Sequence, residues 1–430
     1  MFSVTSLGFL PFMALFVCLW YRVPQPSRWK LVLAANAVFC LSIDIGAFFA
    51  VALATAVVWQ AAQHAQPEQP SRRGWLALGL AAALLPLLVL KYSGMLVPGL
   101  RDLYKPFGLA YYSLQLAGYL LDVWHGRTAP TPSYARLWCY AGFFLSLTQG
   151  PFNRYNTLMP QLEAAPKTFE TQRLVSGLQR SAWGYFKKFA IADRAAIVVS
   201  AAFADPASFD RSQLIFATVM YSFQLYADFS GYTDIVLGMG EILGLHLPEN
   251  FRQPFFSASV KELWARWHIS LSQWFRDYVY IPLGGNRVGR ARQLLNILVV
   301  WMLTGFWHGA AWNFVVWGLM FAVLLIMEKL WLLKPLSKCR PLAHLYVVFF
   351  VVISFVIFNA ENMGQALSDI GGLFGAGGIP LVSAEAVYCL RSFALVLILA
   401  VLGATPLLRN GLVRLSQYPT AGKVLNALEP

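Results

Sequence analysis

Charge is scarce in this 430-residue chain. Only 12% of its residues are Asp, Glu, Lys or Arg, while 58% are hydrophobic and the mean hydropathy is +0.56. That balance excludes a soluble globular domain of ordinary make-up. Cysteine is scarce as well. The five cysteines (Cys18, Cys40, Cys139, Cys339, Cys389) form no CxxC pair and sit within or beside apolar segments, so neither a zinc site nor a disulfide framework is expected. There is no internal repeat, no low-complexity tract and no linker long enough to divide two soluble domains. The polar breaks "YRVPQPSRWK", "HAQPEQPSRRG", "HGRTAPTPSYAR" and "LEAAPKTFETQR" read as short loops, which leave no room for an extramembrane enzyme. A serine nucleophile elbow is missing too. The glycine-rich "GGLFGAGG", Gly371 to Gly378, lacks the Lys-Ser/Thr of a P-loop and follows no strand, so it reads as a plain loop.

What the chain has instead is apolar sequence recurring from end to end, for example Trp75 to Leu90, Leu294 to Leu303 and Tyr346 to Phe358. A span needs about 20 such residues. The expectation is an all-α polytopic membrane protein with roughly ten or eleven membrane segments, some re-entrant or tilted where Pro and Gly interrupt them, forming one domain over 1–430. Met1 to Trp20 lacks a basic leader and a small-residue cleavage site, so it reads as a retained first helix.

The net charge of +13 fits basic loops left on the cytoplasmic side better than nucleic-acid binding. Phe251 to Arg292 carries seven basic residues (Arg252, Lys261, Arg266, Arg276, Arg287, Arg290, Arg292) against Glu262 and Asp277, a net of +5, which places that segment at the cytoplasmic face. Within it, Ser259 and Glu262 form a capping-box pattern. Trp264, Trp267, His268, Leu271, Trp274, Phe275 and Tyr278 follow at spacings of three and four, which predicts one amphipathic helix from Ser259 to Tyr280 at a membrane interface. Pro282 and Gly284-Gly285 end it.

The tripeptide WHG occurs twice, and its surroundings separate the copies. Trp124-His125-Gly126 closes an apolar helix before "RTAPTPS", an ordinary boundary position. Trp307-His308-Gly309 lies in "TGFWHGAAWN" between long apolar stretches, and an ionisable group at membrane depth is a functional candidate by default. A low-dielectric surrounding favours the neutral imidazole, the form that a general base needs. On the residues alone two readings stay open for His308: a base, or a buried histidine satisfied by a backbone carbonyl. His64, His246 and His344 read as surface or helix-start residues. Asp228 and Asp234 are acids in an apolar segment, and six positions apart they do not share a helix face. Pairing with buried Arg or capping of a broken helix is the expected role.

At this point the residues resemble a family. "ELWARWHISLSQWFRDYVYIPLGGNRVG" followed by "LTGFWHGAAWNFVVWG" resembles the signature region of the membrane-bound O-acyltransferases, and within them the bacterial branch that contains the alginate O-acetylases. The likeness continues through "PFGLAYYSLQLAGYLLDVWHGR", "TQGPFNRYNTLMPQL", "GLQRSAWGYFKKFAIADR" and "YSFQLYADFSGYTDIVLGMGEILGLHLPENFRQPFFS", a signature core of 106–329. At Asn359, where relatives commonly show arginine, this chain departs from the pattern.

The resemblance implies helices arranged around a central tunnel, a location in the bacterial cytoplasmic (inner) membrane, and acyl transfer from a cytoplasmic acyl-CoA or acyl-carrier thioester. O-acetylation of an exported polysaccharide such as alginate is the implied outcome, directly or through an acyl relay. It implies His308 and His268 as the catalytic pair, and Trp307, Arg287, Arg290, Asn286 and Asp228 as donor- or substrate-binding residues. No bound cofactor and no metal are implied. The implied partners are a periplasmic SGNH-type acetyltransferase, an acyl carrier protein and membrane lipids, with no nucleic acid. D-alanyl transfer toward teichoic acid and peptidoglycan O-acetylation are the alternatives within the family. A transporter with His268, His308, Asp228 and Asp234 as a polar pathway is the alternative outside it.

Overall fold

The computed structural model describes residues 3–418 apart from 101, 167, 205, 207 and 208. Met1 and Phe2 of the expected first helix, Lys167 of the expected fourth loop and the end of the 1–430 domain therefore lie outside the described residues. Every named element is helical. In chain order they are α1 (Phe9–Arg22), α2 (Arg28–Ile43), α3 (Ile45–His64), α4 (Arg72–Leu96), α5 (Leu109–Trp124), α6 (Tyr134–Ala141), α7 (Tyr155–Ala164), α8 (Thr171–Phe186), α9 (Asp193–Ala204) and α10 (Arg211–Ile242). There follow α11 (Val260–Arg266), α12 (Ile269–Phe275), α13 (Arg290–His308), α14 (Trp312–Met327), α15 (Leu333–Lys338), α16 (Arg340–Asn359), α17 (Met363–Leu373), α18 (Ala384–Ala404) and α19 (Leu407–Ser416). Turns of π-helix join α8 to α9, follow α12, and join α14 to α15.

Among the described residues five helices are both long and apolar enough to cross a bilayer: Ile45–His64, Arg72–Leu96, Trp312–Lys338, Arg340–Asn359 and Ala384–Ala404. At 1.5 Å per residue the 25 residues of α4 reach about 37 Å, more than a hydrocarbon core of about 30 Å. The apolar helix Phe9–Arg22 is shorter. The expected all-helical, apolar character is present, but the expected ten or eleven membrane segments are not confirmed: by length and composition five spans are seen among the described residues, and α13, which holds the run Leu294 to Leu303, is not one of them.

The chain forms two compact units. The first comprises 1–185, 231–250 and 268–326, and the second 186–230, 251–267 and 327–430. Aromatic and aliphatic side chains such as Phe9, Phe39, Tyr112, Tyr140 and Phe144 fill the core of the first. One buried polar group shows how its interior is held: Asn36, fully buried, donates to the Cys139 carbonyl and accepts from the Phe144 amide, both at 2.9 Å. An amide buried in this way costs free energy unless its hydrogen bonds are made. In the second unit Trp267 is boxed by Phe251, Phe255, Tyr226 and Phe355 with ring centroids 5.2 to 6.1 Å away. There Glu328, 3% exposed, accepts the amides of Val260 and Lys261 at 2.5 and 3.0 Å, holding the start of α11.

The amphipathic segment corrects an expectation. It starts as the capping box requires, with the Glu262 amide donating to Ser259 Oγ at 3.0 Å, but it is not one helix. It breaks at Trp267-His268 into α11 and α12. The cause is a competing partner for its backbone: Arg252 N–H donates to the Arg266 carbonyl and Ile269 N–H to the Asn250 carbonyl. Periodicity cannot register such a strand-like clamp from a remote loop.

Candidate active site

Gly305 and Gly318 decide where His308 can be. A Cβ on Gly305 would lie 2.3 Å from the Phe314 carbonyl oxygen, and one on Gly318 would lie 2.3 Å from that of Trp301. Both neighbours are backbone and cannot yield, so α13 and α14 touch only because these residues are glycine. His308 ends α13 at this crossing, and Gly309 caps it. The last carbonyls of a helix need outside donors, and α4 supplies them. Tyr92 Oη donates to the Phe306 carbonyl, and Lys91 Nζ donates to the carbonyls of Trp307 at 2.5 Å and His308 at 3.2 Å.

His268 arrives by another route. It is 2% exposed and has φ 44 and ψ 53, the left-handed region that costs a non-glycine residue about 1 to 2 kcal/mol. Its surroundings hold it there. The buried Asn250 accepts the Ile269 amide at 3.1 Å through its carbonyl, and its side-chain oxygen accepts the Ser270 amide at 3.0 Å and hydroxyl at 2.7 Å. Ser270 Oγ in turn accepts the Phe152 amide at 2.9 Å.

The two imidazoles meet on one indole. The Trp307 ring lies 4.9 Å from that of His308 and 5.9 Å from that of His268. It is fixed by donation from Nε1 to the Ala110 carbonyl at 3.2 Å. Phe152 and Tyr111 stack at 4.9 Å and both meet Trp307 edge-on, while Trp317 lies 5.0 Å from His308. His308 keeps an accessible surface whereas His268 is enclosed. All these residues belong to the first unit, so forty positions of sequence between the histidines close into one aromatic-walled site.

The other candidates are distributed. Arg287 and Arg290 are exposed at the far end of α13 from His308, about 27 Å away along the axis. Asn286 beside them accepts from Tyr280 Oη at 2.8 Å and from the Gln293 amide. Asp228 pairs with Lys188 at 2.6 Å in the second unit, and Asp234 pairs with Arg180 at 3.3 Å in the first. Both acids lie on the unbroken α10. Among the described residues no group of three or more His, Cys, Asp or Glu side chains could hold a metal. His125 ends α5 as expected, with Gly126 turning at φ 68.

Residues 91–363, which enclose both histidines and the aromatic wall, match the family model described as MBOAT, membrane-bound O-acyltransferase family. The chain belongs to the membrane-bound O-acyltransferases. A probable alginate O-acetylase of Azotobacter vinelandii is 33% identical over 386 residues, covering 85% of this chain and 76% of the relative. A peptidoglycan O-acetyltransferase of Helicobacter pylori is 30% identical over 74% of this chain and 68% of its own. A teichoic acid D-alanyltransferase of Bacillus subtilis is 28% identical over 72% and 85%. The membrane-bound O-acyltransferase is thus an enzyme of acyl transfer.

Sequence reasoning missed the residues that surround this candidate site: Lys91, Tyr92, Tyr111, Phe152, Asn250, Ser270 and Trp317. One signal was available, since Lys91 is a lone cation inside the apolar run from Leu84 to Leu96. The others are ordinary residue types whose role depends on long-range contacts.

Proposed function

We propose that the enzyme takes an acetyl group from a thioester donor in the cytoplasm and passes it across the membrane for O-acetylation of an exported polysaccharide, directly or through an acyl relay. The observation that carries this reading is the convergence of His268 and His308 on Trp307 in a site walled by aromatic rings. His308 takes the proton from the acceptor hydroxyl as its oxygen attacks the thioester carbonyl carbon. The carbon–sulfur bond then breaks and the proton passes to the departing thiolate. His268 polarises the donor end. A site from which water is excluded protects the thioester and strengthens each polar contact to the developing oxyanion.

Arg287, Arg290 and Asn286 take the far end of the donor, the phosphates of coenzyme A or an acidic carrier protein. About 27 Å of helix separates them from His308, so they bind the donor without touching the acyl group. Trp307 completes the binding set. The reading includes roughly ten or eleven membrane segments around a central tunnel, and a single acyltransferase domain over 1–430 with its signature core at 106–329. It places the enzyme in the bacterial inner membrane with a periplasmic SGNH-type acetyltransferase and an acyl carrier protein as partners. The O-acetylating relatives support acetyl as the acyl group.

Purified protein incubated with labelled acetyl-CoA or acetyl-carrier thioester, a candidate polysaccharide and the relay partner tests the proposal. Consumption of thioester with label in the polysaccharide is the expected result. If neither thioester is consumed, the mechanism fails.

A further inference from the structure

Lys91 has a role that capping does not explain. It lies in α4, one of the helices long and apolar enough to span the bilayer, where an ammonium is expensive to hold. Among the described residues no carboxylate pairs with it. Its hydrogen bonds go to the carbonyls of Trp307 and His308, at 2.5 and 3.2 Å. A cation is not required for that task, because the neighbouring Tyr92 satisfies the Phe306 carbonyl with a neutral hydroxyl. An ammonium has three N–H donors, and these two carbonyls use two of them. The charge also sits beside the chemistry: Lys91 Nζ is 6.0 Å from the centroid of the Trp307 indole, the ring that both imidazoles contact.

We infer that Lys91 is a further catalytic residue, whose remaining N–H donates to the oxygen of the tetrahedral intermediate formed when the acceptor hydroxyl adds to the donor carbonyl. This rests on the acyl-transfer mechanism proposed above. No proton is transferred by Lys91. As the new carbon–oxygen bond forms, negative charge collects on the former carbonyl oxygen, and the ammonium stabilises it. As the carbon–sulfur bond breaks, the carbonyl reforms and the hydrogen bond weakens. Two donations to the end of α13 fix the ammonium in advance, so little reorganisation is required during the reaction, and a preorganised donor of this kind acts on kcat rather than on ground-state binding.

The experiment compares K91M, K91R, K91Q and K91A in the full-length protein, reading thioester consumption and the affinity for a non-transferable thioether analogue of the donor. K91M and K91Q are expected to lower kcat about a hundredfold or more with analogue affinity unchanged. K91R is expected to recover part of the rate, and methylammonium to rescue K91A. Y92F, which removes a cap and no charge, measures the effect of capping alone. The inference is overturned if K91Q keeps its kcat within threefold, or if every Lys91 variant loses rate and analogue affinity together with no rescue by Arg or methylammonium. Should K91M not fold, K91Q and K91R still decide it. H308A separates this failure from that of the mechanism: an active H308A sinks the mechanism, whereas an inactive H308A beside an active K91Q sinks only the role of Lys91.

Discussion

The imidazole of His268 and the indole of Trp307 lie 5.9 Å apart with their planes 28° from parallel, although all of α12, a glycine turn and nearly all of α13 separate them in sequence. His268 reaches that position only through a left-handed backbone. Glycine adopts this conformation freely and alanine does not, so H268G is expected to be more stable than H268A by about 1 kcal/mol, the reverse of their usual order. Thermal unfolding of both variants in the same detergent checks this. Equal midpoints, or a more stable H268A, would remove the strain from the account.

H308A is expected to lower the rate of acyl transfer by about 10² to 10⁴, the usual contribution of a positioned base, while the protein still inserts and binds donor. Single-turnover thioester cleavage is the measurement. A rate within threefold of the parent would show that another group accepts the proton.

G305A and G318A should each destabilise the protein by about 1 to 3 kcal/mol, the range for an overpacked core, since each added methyl meets a backbone oxygen. The same variants displace the end of α13 and so lower activity. Melting temperature and turnover, measured together, are expected to fall in both.

Replacing Arg287, Arg290 and Arg292 together with glutamine is expected to weaken donor binding and to make it less sensitive to salt, because exposed charges act through screened fields. Turnover at saturating donor should change little, given how far α13 carries these residues from His308. Unchanged donor affinity with normal insertion would leave the arginines as topology signals only.

Asp210 gives a pH dependence. Burial pushes its carboxyl upward, but donation from the Ser212 and Ser383 hydroxyls and the Gln213 and Ser212 amides outweighs burial and holds it below the ordinary carboxylate range. A group depressed in the fold stabilises above its unfolded pKa of about 3.9 and loses that contribution as pH falls through the folded value. S383A removes one of these donors. The difference in stability between S383A and the parent should therefore be full near neutral pH and shrink below about pH 4, as read by unfolding across an acid series.

Much of the molecule was legible in its sequence. Apolar length determined α4 and α16, because a bilayer accepts only segments whose backbone bonds are internally satisfied. The Ser259–Glu262 pair determined the start of α11, because a cap is a local interaction between near neighbours. Local context also separated the WHG copies: both close a helix, but polar sequence follows His125 whereas apolar sequence flanks His308 on both sides. Only the tertiary structure decided the rest. The break at His268 depends on hydrogen bonds from Asn250 and Arg252, and the meeting of two imidazoles, an indole and an ammonium depends on α4, α5, α12 and α13 packing together. Periodicity records which face of a helix is apolar. It carries no information about which distant backbone competes for that helix's hydrogen bonds, or which remote cation closes its end.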